Sequence, residues 1–181
     1  MKNGYVFESE RLGFRRWKES DRDLFASLNA DAEVMKYFPD VLTRKESDLL
    51  IQRFEDHHDE KGFGIWAVER KEDGEFIGFI GLLEVKLDVD FQGVVEIGWR
   101  LDKKYWKQGY AVEGAKACLD FAFERLNLTE VYSFTACVNA PSETVMRRIG
   151  MTKIKEFDHP KIGAGSSLKR HVLYRISRTA R

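Results

Sequence analysis

Apolar positions along this chain change period several times, and each change marks an element. Leu12 and Phe14 alternate with Gly13 and Arg15 before Arg16, a period of two that predicts a first strand. Ser20 and Asp21 are capping residues ahead of a helix through Leu24, Phe25, Leu28 and Ala32, and Phe38-Pro39 ends that region. Thr43 with Glu46 three residues later reads as a capping box, with Leu49, Leu50 and Phe54 on one side of a helix that runs out near Gly62. Residues 64–71 and 76–87 read as strands joined through Asp73-Gly74, a hairpin signal. A third strand follows over 94–101. Ala111, Ala115, Cys118, Leu119, Ala122, Phe123 and Leu126 then recur at helical spacing. Residues 130–138 are rich in β-branched and aromatic residues, a strand. Residues 139–149 form a short helix, and Gly150 suits its left-handed end. Strands near 152–157 and 171–177 close the chain. The order predicts an α/β (α+β) single domain over 1–181, with a mixed central sheet of about seven strands flanked by about four helices.

Composition narrows the class. The chain has 181 residues, 43% hydrophobic and 13% aromatic, enough for one real core. Thirty basic residues balance thirty acidic ones, which fits duplex nucleic acid poorly as a partner. The charge is uneven: residues 19–60 are rich in Asp and Glu, and the stretch from Arg147 to Arg181 is basic. Two solvated faces explain this; an acidic wall for a cationic amine and a basic wall for a polyphosphate form the sharper alternative. Cys118 and Cys137 lie in apolar segments and suggest neither a disulfide framework nor a metal site. The adjacent His57 and His58 point in different directions on a helix and make poor co-ligands. The N-terminus has no signal-peptide core and no run approaches a membrane span, so a cytoplasmic protein with no membrane partner is expected.

The chemistry concentrates between Val94 and Ala111. A strand-like run, Val94-Val95-Glu96-Ile97-Gly98-Trp99-Arg100-Leu101, leads to Tyr105-Trp106-Lys107-Gln108-Gly109-Tyr110-Ala111 at a helix start. Free backbone N–H groups and the helix dipole make such a site attractive to an anion, and a glycine admits it closely. Read alone, Gly109 is also compatible with a plain turn.

These two runs resemble motif A of the GNAT acetyltransferases. Asn139-Ala140-Pro141-Ser142, with Val145-Met146 and Ile149-Gly150-Met151, resembles that superfamily's motif B. Glu10-Arg11-Leu12, Asp158-His159-Pro160 and Arg170-His171-Val172-Leu173-Tyr174 are similar to the RimJ/RimL-type branch, so the resemblance spans nearly the whole chain. Lys107 stands where that branch often has glycine. The resemblance implies a GNAT-like domain in which strands 94–101 and 130–138 splay apart to admit coenzyme A. Backbone groups of Lys107, Gln108, Gly109, Tyr110 and Ala111 would hold the diphosphate, with charge from the Lys107 side chain and a hydrogen bond from that of Gln108. The strand edge at Ile97, Trp99 and Leu101 would pair with the pantetheine arm, and an N–H at Ile97 or Trp99 would meet the oxyanion. Asn139 would bind pantetheine; as a bare residue it is a helix N-cap, and the two roles coexist.

Glu96 is the implied general base, since apolar neighbours raise a carboxyl pKa. A solvent-facing strand residue is the plainer alternative, and Glu84, Glu156 and Asp158 are competing acids. Ser142 would assist the leaving thiolate, or be an ordinary first-turn serine. Phe38 and Trp66, with Trp17 and Phe63, are candidates to line the acceptor pocket, against core packing. The resemblance implies acetyl-CoA as cosubstrate, no metal, and a monomer or homodimer. It implies N-acetylation of a primary amine, with a ribosomal-protein-like N-terminus ahead of a small amine, polyamine or antibiotic. A non-catalytic acyl-CoA-binding module is the alternative of another class.

Overall fold

The structure, a computed structural model, describes residues 4–178; Arg181, the last of the basic stretch, and the two ends of the expected 1–181 domain lie outside the described residues. The elements are β1 (Phe7–Glu8), β2 (Leu12–Arg15), α1 (Asp21–Ala30), α2 (Arg44–Lys61), β3 (Ile65–Arg70), β4 (Phe76–Glu84), β5 (Val95–Leu101), α3 (Tyr110–Glu124), β6 (Glu130–Ala136), α4 (Ala140–Arg148), β7 (Thr152–Asp158) and β8 (Arg170–Ser177). The strands form one sheet in the order β1-β2-β3-β4-β5-β6-β8-β7. Every neighbouring pair is antiparallel except β5 and β6. The sheet therefore has eight strands where about seven are expected. The extra one, β1, is two residues long, too short for any periodicity to announce it. Packing holds it: the Phe7 ring stacks on Phe14 at 4.3 Å and on Phe121 of α3 at 4.7 Å.

Alternation along the strands sorts side chains onto two faces. Trp66, Ile80 and Ile97 join the core under α3. Ile65 and Phe79 join a second core with Phe25 of α1 and Ile51 and Phe54 of α2. Helix α3 approaches the sheet closely because its packing face is small; a Cβ on Gly114 would lie 2.4 Å from Ile80 Cδ1. Val85, Phe91 and Leu173 make a third cluster, joined by Phe134 and Phe157.

Capping follows the residues with one exception. The Thr43–Glu46 capping box is present, and Gly62 ends α2 at φ 77°. Ser20 occupies the N-cap of α1, but its side chain makes no cap hydrogen bond. The neighbouring Asp21 replaces it, accepting from Lys18 N at 2.8 Å and from Arg15 Nη1 and Nη2 at 2.6 and 2.8 Å. Arg15 Nε also donates to Glu69 Oε1 at 2.5 Å, so this buried cation ties α1 to β2 and β3.

The acidic run is neutralised where it stands. Glu55 and Asp59 pair with Arg16, Asp48 with Arg22 and Arg44, and Asp31 and Glu33 with Lys103. This favours solvated, self-paired faces over an acidic wall. Among the described residues no helix is long and apolar enough to cross a membrane.

Candidate active site

The one parallel pair in the sheet is also its weakest join. β5 and β6 share a single rung, Glu96 opposite Tyr132. The Ser133 hydroxyl donates to the Ile97 carbonyl at 2.9 Å beside it. Beyond that point the strands part, leaving the splayed gap. Backbone polar groups alternate in direction along an antiparallel strand. Since Ile97 turns its carbonyl toward β6, Trp99 and Leu101 turn theirs the same way. Leu101 O already accepts from Trp106 Nε1 at 2.8 Å. Of Ile97, Trp99 and Leu101, Trp99 therefore offers the freest backbone edge.

Helix α3 begins at the mouth of this gap. Gly109 holds φ 84°, a left-handed turn that costs a glycine little. No side chain caps the first turn of α3, so its leading N–H groups at Tyr110 and Ala111 are open to an anion. Lys107 also adopts a left-handed φ, 61°, which disfavours any residue with a Cβ. Its exposed ammonium has no ion-pair partner among the described residues. The Gln108 side chain is engaged internally, donating to Lys104 O at 2.8 Å, which leaves its main chain for the cradle. Arg11 braces the turn: it donates to Gln108 O at 3.1 Å and to Glu113 at 2.6 Å, and its guanidinium lies 4.3 Å from the centre of the buried Tyr110 ring. An uncapped helix start, a lysine without an ion pair among the described residues and an open strand edge suit the chemistry of the diphosphate and pantetheine of coenzyme A.

Asn139 serves as the N-cap of α4, accepting from Ser142 N at 3.2 Å and donating to Thr135 Oγ1 at 2.9 Å. Its second amide hydrogen is uncommitted. The half-buried Ser142 hydroxyl is likewise without a partner among the described residues.

The even-numbered residues of β5, Glu96, Gly98 and Arg100, face the side covered by α1 and α2. The half-buried Glu96 carboxyl makes no hydrogen bond or ion pair among the described residues, and burial pushes its pKa up to about 8. Its competitors are committed. Glu84 pairs with Lys61 at 2.9 Å, which holds its carboxyl below the usual range. Glu156 pairs with Lys153 and Arg170, and Asp158 with Arg170. Four strand residues along, Arg100 Nη1 donates to Asn29 Oδ1 at 2.5 Å, while its Nε is buried without a partner. Phe38, 38% exposed, covers the Arg100 guanidinium at 4.1 Å.

Trp66 is a correction. It is 1% exposed on the opposite face, edge-on to Phe7, His58 and Phe121, and offers no surface to an acceptor. Its indole is large enough to read as pocket lining, but its strand parity points it under α3. Trp17 is a core residue too, packed against Phe25 and Phe54. His57 and His58 bond separate backbone carbonyls, those of Phe63 and Ile65. Sequence reasoning missed Arg100, Asn29 and Ser133. For Arg100 a signal existed: it shares the parity of Glu96. Asn29 and Ser133 reach the site only through tertiary packing.

Residues 11–152 match the acetyltransferase (GNAT) domain family. The chain is 31% identical over 146 residues to YkkB of Bacillus subtilis (strain 168), an uncharacterised protein, covering 79% of this chain and 83% of that one. It is 37% identical over 100 residues to FsC-acetyl coenzyme A-N(2)-transacetylase of Aspergillus fumigatus, covering 53% of this chain and 42% of that one. A crystal structure of a GNAT-family acetyltransferase from Bacillus anthracis superposes with a TM-score of 0.78 at 26% identity, covering 94% and 96% of the two chains. The chain belongs to the GNAT acetyltransferase family, and its activity class is N-acetyl transfer from acetyl-CoA.

Proposed function

We propose that this enzyme acetylates a primary amine that enters from the α1–α2 side, with Glu96 as general base. The observation that carries the assignment is Glu96 itself: a half-buried, unpartnered carboxyl on the splayed strand, with a pKa pushed up to about 8 by burial. A base of that strength suits an ammonium group near neutral pH. Acetyl-CoA supplies the activated acetyl group as a thioester. Glu96 removes the amine's proton, directly or through one water. The Trp99 N–H faces the gap and is the preferred donor to the developing oxyanion. Ser142, at the first turn of α4, is the donor to the departing sulfur, while Asn139 fixes the start of that helix and keeps one N–H for the pantetheine. The remaining work is positioning.

The RimJ/RimL-type assignment rests on the opening and closing sequence motifs. A protein N-terminus and a small amine both satisfy the Glu96 chemistry. In the test, Glu96→Gln loses about 10²- to 10⁴-fold in kcat with little change in the KM for acetyl-CoA. Full turnover by Glu96→Gln at saturating substrate would remove Glu96 as the base.

A further inference from the structure

One face of β5 reads Glu96, Gly98, Arg100: an unpaired acid, an empty position and an unpaired cation. Gly98 is the informative middle. A Cβ built there meets no atom within 4 Å, so the strand borders open space between the two charges. The Cα atoms of Glu96 and Arg100 are about 13 Å apart by strand geometry, and the two side chains leave the same face of the strand on either side of that opening.

Among the described residues Arg100 has no carboxylate partner. Its one hydrogen bond goes to the neutral amide of Asn29, and its Nε is buried without an acceptor. Asn29 is itself fully buried and held by Ser47, so it fixes the guanidinium without neutralising it. Asp31 and Glu33, which follow Asn29 in the chain, pair with Lys103, and Asp102, two residues beyond Arg100, accepts from Lys104 N. Burial alone pulls the Arg100 pKa down to about 10 and burial alone raises that of Glu96, so neither charge compensates the other. A buried cation with an orphaned donor is costly unless something answers it. The Nε–Nη2 edge of a guanidinium matches a carboxylate in two parallel hydrogen bonds.

We propose that Arg100 is a specificity residue that binds a carboxylate on the acceptor, so that the natural acceptor is a small zwitterionic amine spanning Gly98 with its amine toward Glu96. This rests on the acetyl-transfer reading above and narrows it. A polycation meets the wrong charge at Arg100.

The test compares acids with their amides, using 4-aminobutyrate against 4-aminobutanamide, several L-amino acids against their amides, and spermidine. Thiol release from acetyl-CoA gives kcat and KM; calorimetry on the CoA-loaded protein gives acceptor binding apart from turnover. The wild-type enzyme is expected to favour acids by about 10- to 100-fold in kcat/KM, with the difference in KM. In Arg100→Gln the ratio falls to near one, and Arg100→Lys keeps part of it. Amides equal to acids in the wild type, spermidine as the best acceptor, or an undiminished ratio in Arg100→Gln would overturn the proposal. The wild-type ratio needs no variant, so a misfolded Arg100→Gln does not protect the idea. Selective carboxylate binding without turnover would sink acetyl transfer and leave the anion subsite standing. Turnover with no acid preference would do the reverse.

Discussion

The two sides of the β5–β6 gap are built from different materials. On the proposed donor side, at the start of α3, the groups on offer are main-chain N–H groups presented by two left-handed residues, Lys107 and Gly109. On the proposed acceptor side they are side chains, Glu96, Arg100 and Phe38, with Asn29 brought in from α1. A backbone cradle needs a turn of given shape and tolerates varied side chains around it. A side-chain wall needs particular residues and the distant elements that aim them. On the reading proposed above, the donor side suits one ligand, while the acceptor side is where a new specificity would be written.

The largest effect expected tests the acceptor side by pH. If Glu96 is the base, kcat/KM rises about tenfold per pH unit below pH 8 and levels above it, and Glu96→Gln removes that limb along with its 10²- to 10⁴-fold loss. Stability has the opposite slope. The folded carboxyl holds its proton more tightly than the unfolded one, whose pKa is about 4.3, so stability declines as pH rises from there to about 8. Denaturation of Glu96→Gln across that window should lack the decline.

Next is the foundation of the acceptor wall. Arg15→Met leaves the buried Asp21 without its cation and Glu69 with only the exposed Lys18, and should cost about 3–5 kcal/mol by chemical denaturation. A cost below about 1 kcal/mol would show that α1 is held by its apolar face instead. On the donor side, Gly109→Val forces a branched residue to φ 84° and should cost about 1–2 kcal/mol while raising the KM for acetyl-CoA more than that for the amine. Equal rises in both constants would break the division between the two sides. The smallest effect is at Lys107: replacement by glycine relieves its left-handed strain, so stability changes by under about 1 kcal/mol, while the KM for acetyl-CoA rises through the lost charge.

The same contrast governs what the sequence made legible. The strand-to-helix passage over 94–111 and the Asn139 cap are local, and local chemistry shows in spacing. So are the Thr43 capping box and the Gly150 helix end, which takes φ 90°. Strand β1 was hidden because two residues have no period, and Phe7 is fixed by Phe14 and Phe121 from elsewhere in the chain. Trp66 was misread because aromatic character says nothing about which face a strand residue takes. The Asn29–Arg100 bond joins residues 71 apart, and no pattern within one element encodes it.

The single rung between Glu96 and Tyr132 has a mechanical consequence. Five strands lie on one side of that seam and three on the other, joined across it by one ladder step and the Ser133 hydroxyl. The sheet is built as two plates hung on a clasp, with α3 packed against both β5 and β6. Amides on either plate are then expected to exchange with solvent as separate groups, and a molecule wedged into the seam, by bridging both edges, would turn two plates into one.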